Sequence, residues 1–209
     1  MADISASQVK DLREKTGAGM MECKKALTES GGDMEKAVEW LRKRGIAKAE
    51  SRSGRTTAEG IVHSYIHPGG KVGVLVEVNC ETDFVARNEG FQEFVKNVAM
   101  HIAASAPQYV KREDVAASVV EKEKEVLTAQ TNEENKAKPK PANVVEKIVE
   151  GKLSKFFSSI CLLEQPYVKE PDQTVEQYLK SVISKTGENI TIRRFVRFQL
   201  GEAVAQSAA

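Results

Sequence analysis

The sequence predicts an α+β fold: a bundle of three helices, then a three-stranded antiparallel sheet with helices and an antiparallel helical hairpin. Three observations support this class. Apolar residues recur at helical spacing between capping residues in 1–50, alternate with polar residues in three later segments, and form narrow seams on both sides of a Lys-Pro-Lys-Pro turn. We therefore divide the chain into a helical bundle (1–50), a linker (51–57) and a core domain (58–209) whose helical arm spans about 114–161.

Three short helices are predicted in the bundle. Ser5 and Gln8 form a capping box before the first helix, which the glycine-containing segment Thr16-Gly17-Ala18-Gly19 ends. A second helix follows this break, and Asp33 caps a third helix that ends near Gly45. Three helices in under fifty residues form a compact unit with a modest core.

A change to a period of two predicts the sheet. Residues 61–67 alternate, Pro68-Gly69-Gly70 supplies a turn, and Val72 to Cys80 returns as the partner strand. Ile190 to Leu200 alternates again and is predicted to be the third strand. Three strands cannot bury both faces of a sheet, so helices or a second subunit must cover one of them.

The segments between these strands are predicted to be helical. One helix spans Gly90 to about Ser105. Asp114 caps the first helix of the arm, Lys138-Pro139-Lys140-Pro141 interrupts it, and a second helix runs back from about Val144 to Cys161. Thr174 caps a last helix before the third strand.

The composition excludes several classes of function. The 209 residues carry 31 basic and 30 acidic side chains, for a formal net charge of +1. Proteins that depend on phosphate contacts are usually far more basic, so we expect no direct nucleic-acid binding. The three cysteines, Cys23, Cys80 and Cys161, are scattered and follow no secretory signal, which favours a reduced, cytoplasmic location. No apolar run reaches membrane-spanning length, so we expect no membrane partner.

The motifs of enzymes and cofactor-binding proteins are missing from the sequence. Gly69-Gly70-Lys71 lies in a predicted hairpin turn and lacks the helix that would present amides to a phosphate. His63 and His67 project from one strand face, but two histidines without a third ligand make a weak metal site. No nucleophile, base and orienting acid form a recognisable group. We therefore expect no catalytic residues, no metal and no cofactor.

Two segments of the bundle have open interpretations. Residues 36–55 contain seven lysines or arginines, which favours a solvated helix face, although a contact with nucleic acid or a ribosome is the alternative. Met20 and Met21 follow a glycine-containing turn. They fit either the core of the bundle or an adaptable protein-binding patch.

The most informative segment is Glu77 to Arg87, which leads from an apolar strand into a helix. Thr82 and Asp83 both suit the N-cap, because their side-chain oxygens can accept the amide protons of a first helical turn. Phe84 has two interpretations. It either folds back onto its own helix as a hydrophobic staple or projects outward as a contact residue.

Two long motifs resemble the bacterial translation elongation factor Ts family. They are Leu12-Arg13-Glu14-Lys15-Thr16-Gly17-Ala18-Gly19-Met20-Met21-Glu22-Cys23-Lys24-Lys25-Ala26-Leu27 and Glu77-Val78-Asn79-Cys80-Glu81-Thr82-Asp83-Phe84-Val85-Ala86-Arg87. Leu41 to Gly45 and Ile192 to Phe198 are also similar to the family. The resemblance covers nearly the whole chain.

The resemblance implies guanine-nucleotide exchange on elongation factor Tu in its GDP-bound form, without a cofactor. In the family, the segment that corresponds to Thr82, Asp83, Phe84 and Val85 pushes into the GTPase beside its Mg²⁺ site. Displacing the ligands of that ion would weaken GDP binding. The resemblance therefore assigns these four residues the role of dislocating Mg²⁺ from the partner.

The resemblance also implies partner contacts elsewhere. It makes the bundle similar to a ubiquitin-associated (UBA-like) domain that docks on the GTPase, with contact roles for Leu12, Met20 and Met21. It places His67, near the hairpin tip, at the nucleotide-binding domain.

One departure from the family pattern concerns the number of core copies. Longer members carry two copies of the sheet-bearing subdomain and a C-terminal module, whereas this chain has one copy. We therefore expect a homodimer in which two three-stranded sheets face each other. The alternative function is a non-exchanging adaptor that holds a protein or RNA through the bundle and the basic segment.

Overall fold

The computed structural model describes residues 4–136 and 140–203 and confirms the predicted α+β class. The helices are α1 (Ala6–Thr16), α2 (Met20–Glu29), α3 (Met34–Glu50), α4 (Asp83–Ala86), α5 (Glu89–Ser105), α6 (Ala117–Glu134), α7 (Ala142–Ile160) and α8 (Val175–Thr186). The strands are β1 (Glu59–Ile66), β2 (Val72–Cys80), β3 (Pro166–Tyr167), β4 (Glu170–Thr174) and β5 (Ile190–Gln199). Within these residues, no helix combines the length and the apolar character that crossing a membrane requires.

The chain folds into two compact units, each assembled from three segments. The first contains the chain up to His63, Glu77–Asn97 and Gln177–Arg193, and the second contains Ser64–Val76, Val98–Glu176 and the chain from Arg194 onward. The predicted domains, 1–50 and 58–209, divide the chain differently and stay a prediction.

Helices α1, α2 and α3 pack on one another in the first unit. The predicted capping box is present, because the Ser5 amide donates to Gln8 Oε1 at 3.0 Å and the Gln8 amide donates to Ser5 Oγ at 3.3 Å. The third helix does not end near Gly45 as predicted but continues to Glu50. Gly45 is buried inside the helix, and a Cβ there would lie 3.1 Å from Ser184 Oγ, so this glycine allows close packing rather than ending the helix.

The bundle has a small apolar core. Its buried members are Val9, Leu12, Cys23, Ala26, Leu27 and Ala37. The three-helix arrangement agrees with the sequence, while the likeness to a ubiquitin-associated domain stays a prediction.

The three-stranded antiparallel sheet has the order β1-β2-β5. The His67 amide donates to the Val72 carbonyl at 2.9 Å across the hairpin, and the Leu200 amide donates to the Lys71 carbonyl at 2.8 Å beside the end of β5. Gly60 in β1 has a φ of +146°, and a Cβ at this position would lie 2.2 Å from the Val78 carbonyl oxygen. Glycine therefore permits the close approach of β1 to β2.

The arm begins differently from the prediction. Asp114 does not cap a long helix, because Arg112–Asp114 forms a 3₁₀ turn and the Asp114 carboxylate accepts the Lys111 amide at 3.1 Å. Helix α6 begins three residues later and packs on α7, as a helical hairpin requires. Lys138 and Pro139 of the predicted turn lie outside the described residues, and the antiparallel direction of the two helices stays a prediction.

A second, two-stranded antiparallel sheet was not predicted. It is formed by β3 and β4, with Pro166 opposite Thr174 and Tyr167 opposite Glu170. The buried side chain of His101 fixes the turn between these strands, since the Val168 amide donates to His101 Nδ1 at 3.2 Å.

Candidate functional site

The corner between β2 and α4 carries the four residues predicted to act on a partner. β2 ends at the buried residue Cys80, and α4 is a single helical turn. Thr82 is the N-cap: its φ is −129°, and its Oγ accepts the Val85 amide at 3.5 Å. Asp83 is therefore the first helical residue rather than the cap, and its carboxylate lies 3.0 Å from Arg87 Nη2.

Phe84 does not form a staple. Its side chain is 80% exposed, whereas Ala86, two residues later, is 7% exposed and anchors the turn. A staple would require the ring to pack on its own helix, which this exposure excludes. The corner therefore presents a phenyl ring to solvent beside the Asp83 carboxylate.

The loop after α8 holds the other side of this corner. The Thr82 amide and hydroxyl donate to the Glu188 carboxylate at 3.0 and 2.6 Å. In the opposite direction, the backbone amide of Asn189 donates to Glu81 Oε1 at 2.6 Å. This hydrogen bond, followed by the charge of Arg55, holds the pKa of the Glu81 carboxyl below its ordinary range.

Sequence reasoning missed Glu188 and Asn189. They are separated from Thr82 and Glu81 by more than a hundred residues, and the only local signal was the helix-ending Gly187 before them. Residues with a carboxylate or a carboxamide side chain, such as Glu188 and Asn189, are common on the surface directly after such a glycine. Their role depends on a long-range pairing that periodicity does not reveal.

The cysteine at the corner is not an activated nucleophile. Burial, then the charges of Glu188 and Glu59, raise the pKa of the Cys80 thiol to about 11. The thiol therefore stays protonated near neutral pH, and its Sγ lies 3.1 Å from the Thr82 carbonyl as a weak donor. Burial, followed by the charge of Glu164, likewise raises the pKa of Cys161 to about 11.

The three residues predicted to dock from the bundle differ in exposure. Met20 is 48% exposed and Met21 is 76% exposed at the start of α2, so both are available to a partner. Leu12 is fully buried in the core of the bundle. A partner cannot reach its side chain in this structure, and any effect of Leu12 on binding would act through the packing of α1 that supports the bundle.

His67 directly follows β1, lies in the second compact unit and is exposed. Its Nδ1 lies 3.1 Å from the Tyr65 hydroxyl, which fixes the ring within the hairpin. Among the described residues, no group of three histidine, cysteine, aspartate or glutamate side chains is arranged to hold a metal ion.

The basic segment 36–55 is largely paired with acidic or carbonyl groups. Its ion pairs join Lys36 to Asp33, Lys43 to Glu39, Arg44 and Lys48 to Glu22, and Arg55 to Glu81, while Arg42 and Arg52 donate to Gln177 Oε1 and the Ile183 carbonyl. These partners reduce the positive potential that a phosphate backbone would meet, which favours the solvated-face interpretation.

One face of the three-stranded sheet carries several exposed apolar side chains. In the second unit these are Ile66 (65% exposed), Leu75 (44%), Val196 (50%) and Phe198 (68%), which we call the open sheet face. The opposite face of β2 is buried through Val74 and Val76. A group of exposed apolar side chains on one sheet fits a surface that contacts another protein.

The capped corner, the exposed methionines and the open sheet face are all features of a protein that acts by binding other proteins. A family model described as "Elongation factor TS" matches residues 6–202. The chain belongs to the elongation factor Ts family, and its general role is therefore in translation elongation.

Curated relatives match over nearly their full length. The elongation factor Ts of Geobacter metallireducens is 62% identical over 203 residues, covering 97% of this chain and 92% of the relative. The proteins of the same name from Alkaliphilus oremlandii and Acetivibrio thermocellus are 62% and 60% identical, covering 97% and 96% of this chain and 91% and 92% of the relatives. These relatives are therefore close to this chain in length.

Proposed function

We propose that the protein promotes the release of GDP from elongation factor Tu, using the β2–α4 corner to disturb the Mg²⁺ site of the GTPase. The observation that carries this proposal is the 80% exposure of Phe84 on a capped helical turn. Exposing a phenyl ring to water is unfavourable by itself. A partner that covers the ring recovers this free energy on binding.

Asp83 supplies the second element of the proposed mechanism. Its carboxylate is paired with Arg87 in a surface ion pair in which the two side chains are 46% and 78% exposed. Such pairs contribute only about 0.3–0.5 kcal/mol, so Asp83 can leave Arg87 at little cost when a partner approaches. A carboxylate brought near the Mg²⁺ shell competes with the ligands that hold the ion on the phosphates.

Phe84 acts as a wedge in this mechanism, and its neighbours hold it in position. Thr82 caps the turn and Val85 is half-buried beneath it, so the ring is carried by an anchored corner rather than a free loop. Because binding of the factor weakens GDP binding, GDP must weaken binding of the factor by the same ratio. Exchange requires no covalent chemistry and no cofactor in this chain.

Docking is assigned to other surfaces. Met20 and Met21 are exposed, adaptable side chains of the bundle, and Leu12 lies in the core of the same bundle. His67 is proposed as a second contact near the hairpin tip. We place the protein in the cytoplasm with its partner, as a homodimer joined through the open sheet face.

Release of labelled GDP from elongation factor Tu tests this function. The wild-type protein should accelerate release, and Asp83→Ala/Phe84→Ala should remove most of the acceleration. Met21→Ala is the matched control: it should raise the concentration needed for half-maximal rate but leave the maximal rate nearly unchanged. Full acceleration by the double variant would contradict the wedge. Binding without acceleration by the wild type would instead indicate a non-exchanging adaptor.

A further inference from the structure

We propose that Glu188 is a positioning residue for the corner that carries Phe84. Glu188 and its neighbour Asn189 lie in the loop between α8 and β5 and bind residues 81 and 82 through reciprocal hydrogen bonds. This inference rests on the proposed function, because it states how the corner is held in the form that acts on the partner.

The Glu188 carboxylate binds Thr82 through both of its oxygens. Oε2 accepts the Thr82 amide at 3.0 Å, and Oε1 accepts the Thr82 hydroxyl at 2.6 Å. Hydrogen bonds to a charged acceptor are shorter and stronger than neutral ones. The two bonds fix the backbone and the side chain of the capping residue at the same time.

The bond from the hydroxyl also sets the direction of the helix cap. A threonine hydroxyl has one proton and two lone pairs. Because the proton points to Glu188, the lone pairs remain for the Val85 amide, which lies 3.5 Å from Oγ. Glu188 therefore orients the cap of α4, although both of its bonds go to Thr82, which precedes the helix.

Asn189 binds in the opposite direction. Its backbone amide donates to Glu81 Oε1 at 2.6 Å. Its side-chain nitrogen donates to the backbone carbonyls of Arg55 and Ser53 at 2.8 and 3.3 Å. Asn189 is only 2% exposed, so water does not compete freely for these bonds. Each segment thus gives a carboxylate to a backbone amide of the other, and the chain before β1 is tied to the same loop.

The consequence for the corner is preorganisation. A wedge that is ordered before binding loses less conformational entropy when it enters a partner. Glu188→Ala should leave the side chains of Phe84 and Asp83 present but allow the cap to reorient. The maximal rate of GDP release should then fall, while docking through the bundle should change little.

The test uses the full chain with Glu188→Ala, Glu188→Gln and the control Glu39→Ala. Glu39 is a matched carboxylate because it pairs with Lys43 on the surface of α3. We expect Glu188→Ala to lower the maximal rate of GDP release roughly tenfold, with about unchanged half-saturation. Glu188→Gln keeps one acceptor oxygen and should restore part of the rate. Glu39→Ala should match the wild type.

Amide hydrogen exchange in the free protein provides a readout that does not depend on the partner. Exchange at Thr82 and Val85 should be faster in Glu188→Ala than in the wild type, with the thermal midpoint nearly unchanged. Thr82→Val combined with Glu188→Ala should slow GDP release by less than the product of the two single effects, since both changes remove the bond between the Thr82 hydroxyl and Glu188.

The inference would be overturned by unaltered exchange at Thr82 and Val85 or by additive effects of the two substitutions on release. Wild-type release rates in Glu188→Ala would overturn it as well and would leave the proposed function intact. A wild-type protein that fails to accelerate release would overturn the proposed function. The hydrogen-exchange comparison would then decide by itself whether Glu188 holds the corner.

Discussion

Phe84 and Phe91, seven residues apart, differ fully in their surroundings. Phe84 is 80% exposed on α4, and Phe91 is completely buried on α5. Phe84→Ala should therefore change the free energy of unfolding by less than about 0.5 kcal/mol, whereas Phe91→Ala should lower it by about 3–5 kcal/mol. Urea unfolding of both variants checks this. A loss of about 2 kcal/mol or more for Phe84→Ala would mean that the ring packs onto the protein in solution.

His101 makes the stability of the second unit depend on pH. Its Nδ1 accepts the Val168 amide, so the proton of the neutral ring lies on Nε2 and points to Gln165 Oε1. Burial lowers the pKa of His101 below its ordinary value of 6.5. The unfolded chain therefore binds this proton more readily, and the stability contributed by the neutral ring is complete above pH 6.5 and lost as pH falls toward the folded-state pKa.

The pH dependence is checked with thermal unfolding at pH 7.5 and 5.5. His101→Gln should be less stable than the wild type at pH 7.5 but should show a smaller loss on acidification. His63→Gln, a substitution on the half-buried side of β1, should retain the wild-type loss. An equal loss in the wild type and His101→Gln would show that His101 is not the group responsible.

At the scale of single residues, local chemistry narrowed the choices at the corner without deciding between them. Capping chemistry offered Thr82 and Asp83, of which Thr82 is the N-cap, and Phe84 was open between a staple and an outward contact until its exposure excluded the staple. Leu12 was predicted as a contact because of its place in a motif, yet it is buried in the core. Glu188 could not be predicted, since a carboxylate after a helix has no local feature that tells which distant amide it binds.

Gly60 in β1 and Gly151 in α7 should respond in opposite ways to substitution by alanine. Gly60→Ala places a Cβ 2.2 Å from the Val78 carbonyl oxygen in a backbone with φ of +146°, so we expect a loss of more than about 2 kcal/mol. Gly151 lies on the exposed side of α7 with open space around it, and Gly151→Ala should add up to about 1 kcal/mol. Denaturant midpoints of both variants check these signs. A stabilising Gly60→Ala would show that β1 is not so close to β2.

At the scale of elements, capped and strongly periodic segments were predictable and irregular ones were not. The capping box of α1 and the alternation of β1, β2 and β5 are local signals, and the structure has them where predicted. The short strands β3 and β4 contain Pro166 and Pro171, which argue against strands in a sequence. Asp114 looked like a helix cap because the tighter 3₁₀ turn uses the same side-chain chemistry.

At the scale of the whole molecule, the open sheet face carries the proposed homodimer. Val196→Glu would place a charge on the open sheet face and should shift the protein toward monomer. Val126→Glu is the control, because Val126 is similarly exposed (43% against 50%) but lies on α6. Sedimentation velocity at several concentrations checks this. A wild-type monomer, or a Val196→Glu dimer of unchanged affinity, would contradict dimerisation through this face.

The family, rather than the physics of any single segment, identifies the general role in translation elongation. Composition and missing motifs argued against catalysis, but they left a binding protein with an open choice of partner. Two long motifs pointed to the elongation factor Ts family, and the match over residues 6–202 confirms it. The proposed docking of the bundle and the proposed homodimer depend on surfaces whose partners cannot be identified from the periodicity of the sequence.

The measurement that tests the central claim most directly is GDP release from elongation factor Tu with and without free Mg²⁺. The wild-type protein should accelerate release strongly in Mg²⁺, and Asp83→Ala/Phe84→Ala should be slower by roughly tenfold or more. When Mg²⁺ is removed by a chelator, the rates with wild type and double variant should converge, because the ion that the corner is proposed to displace is already gone. A difference between the two proteins that persists unchanged without Mg²⁺ would contradict this account.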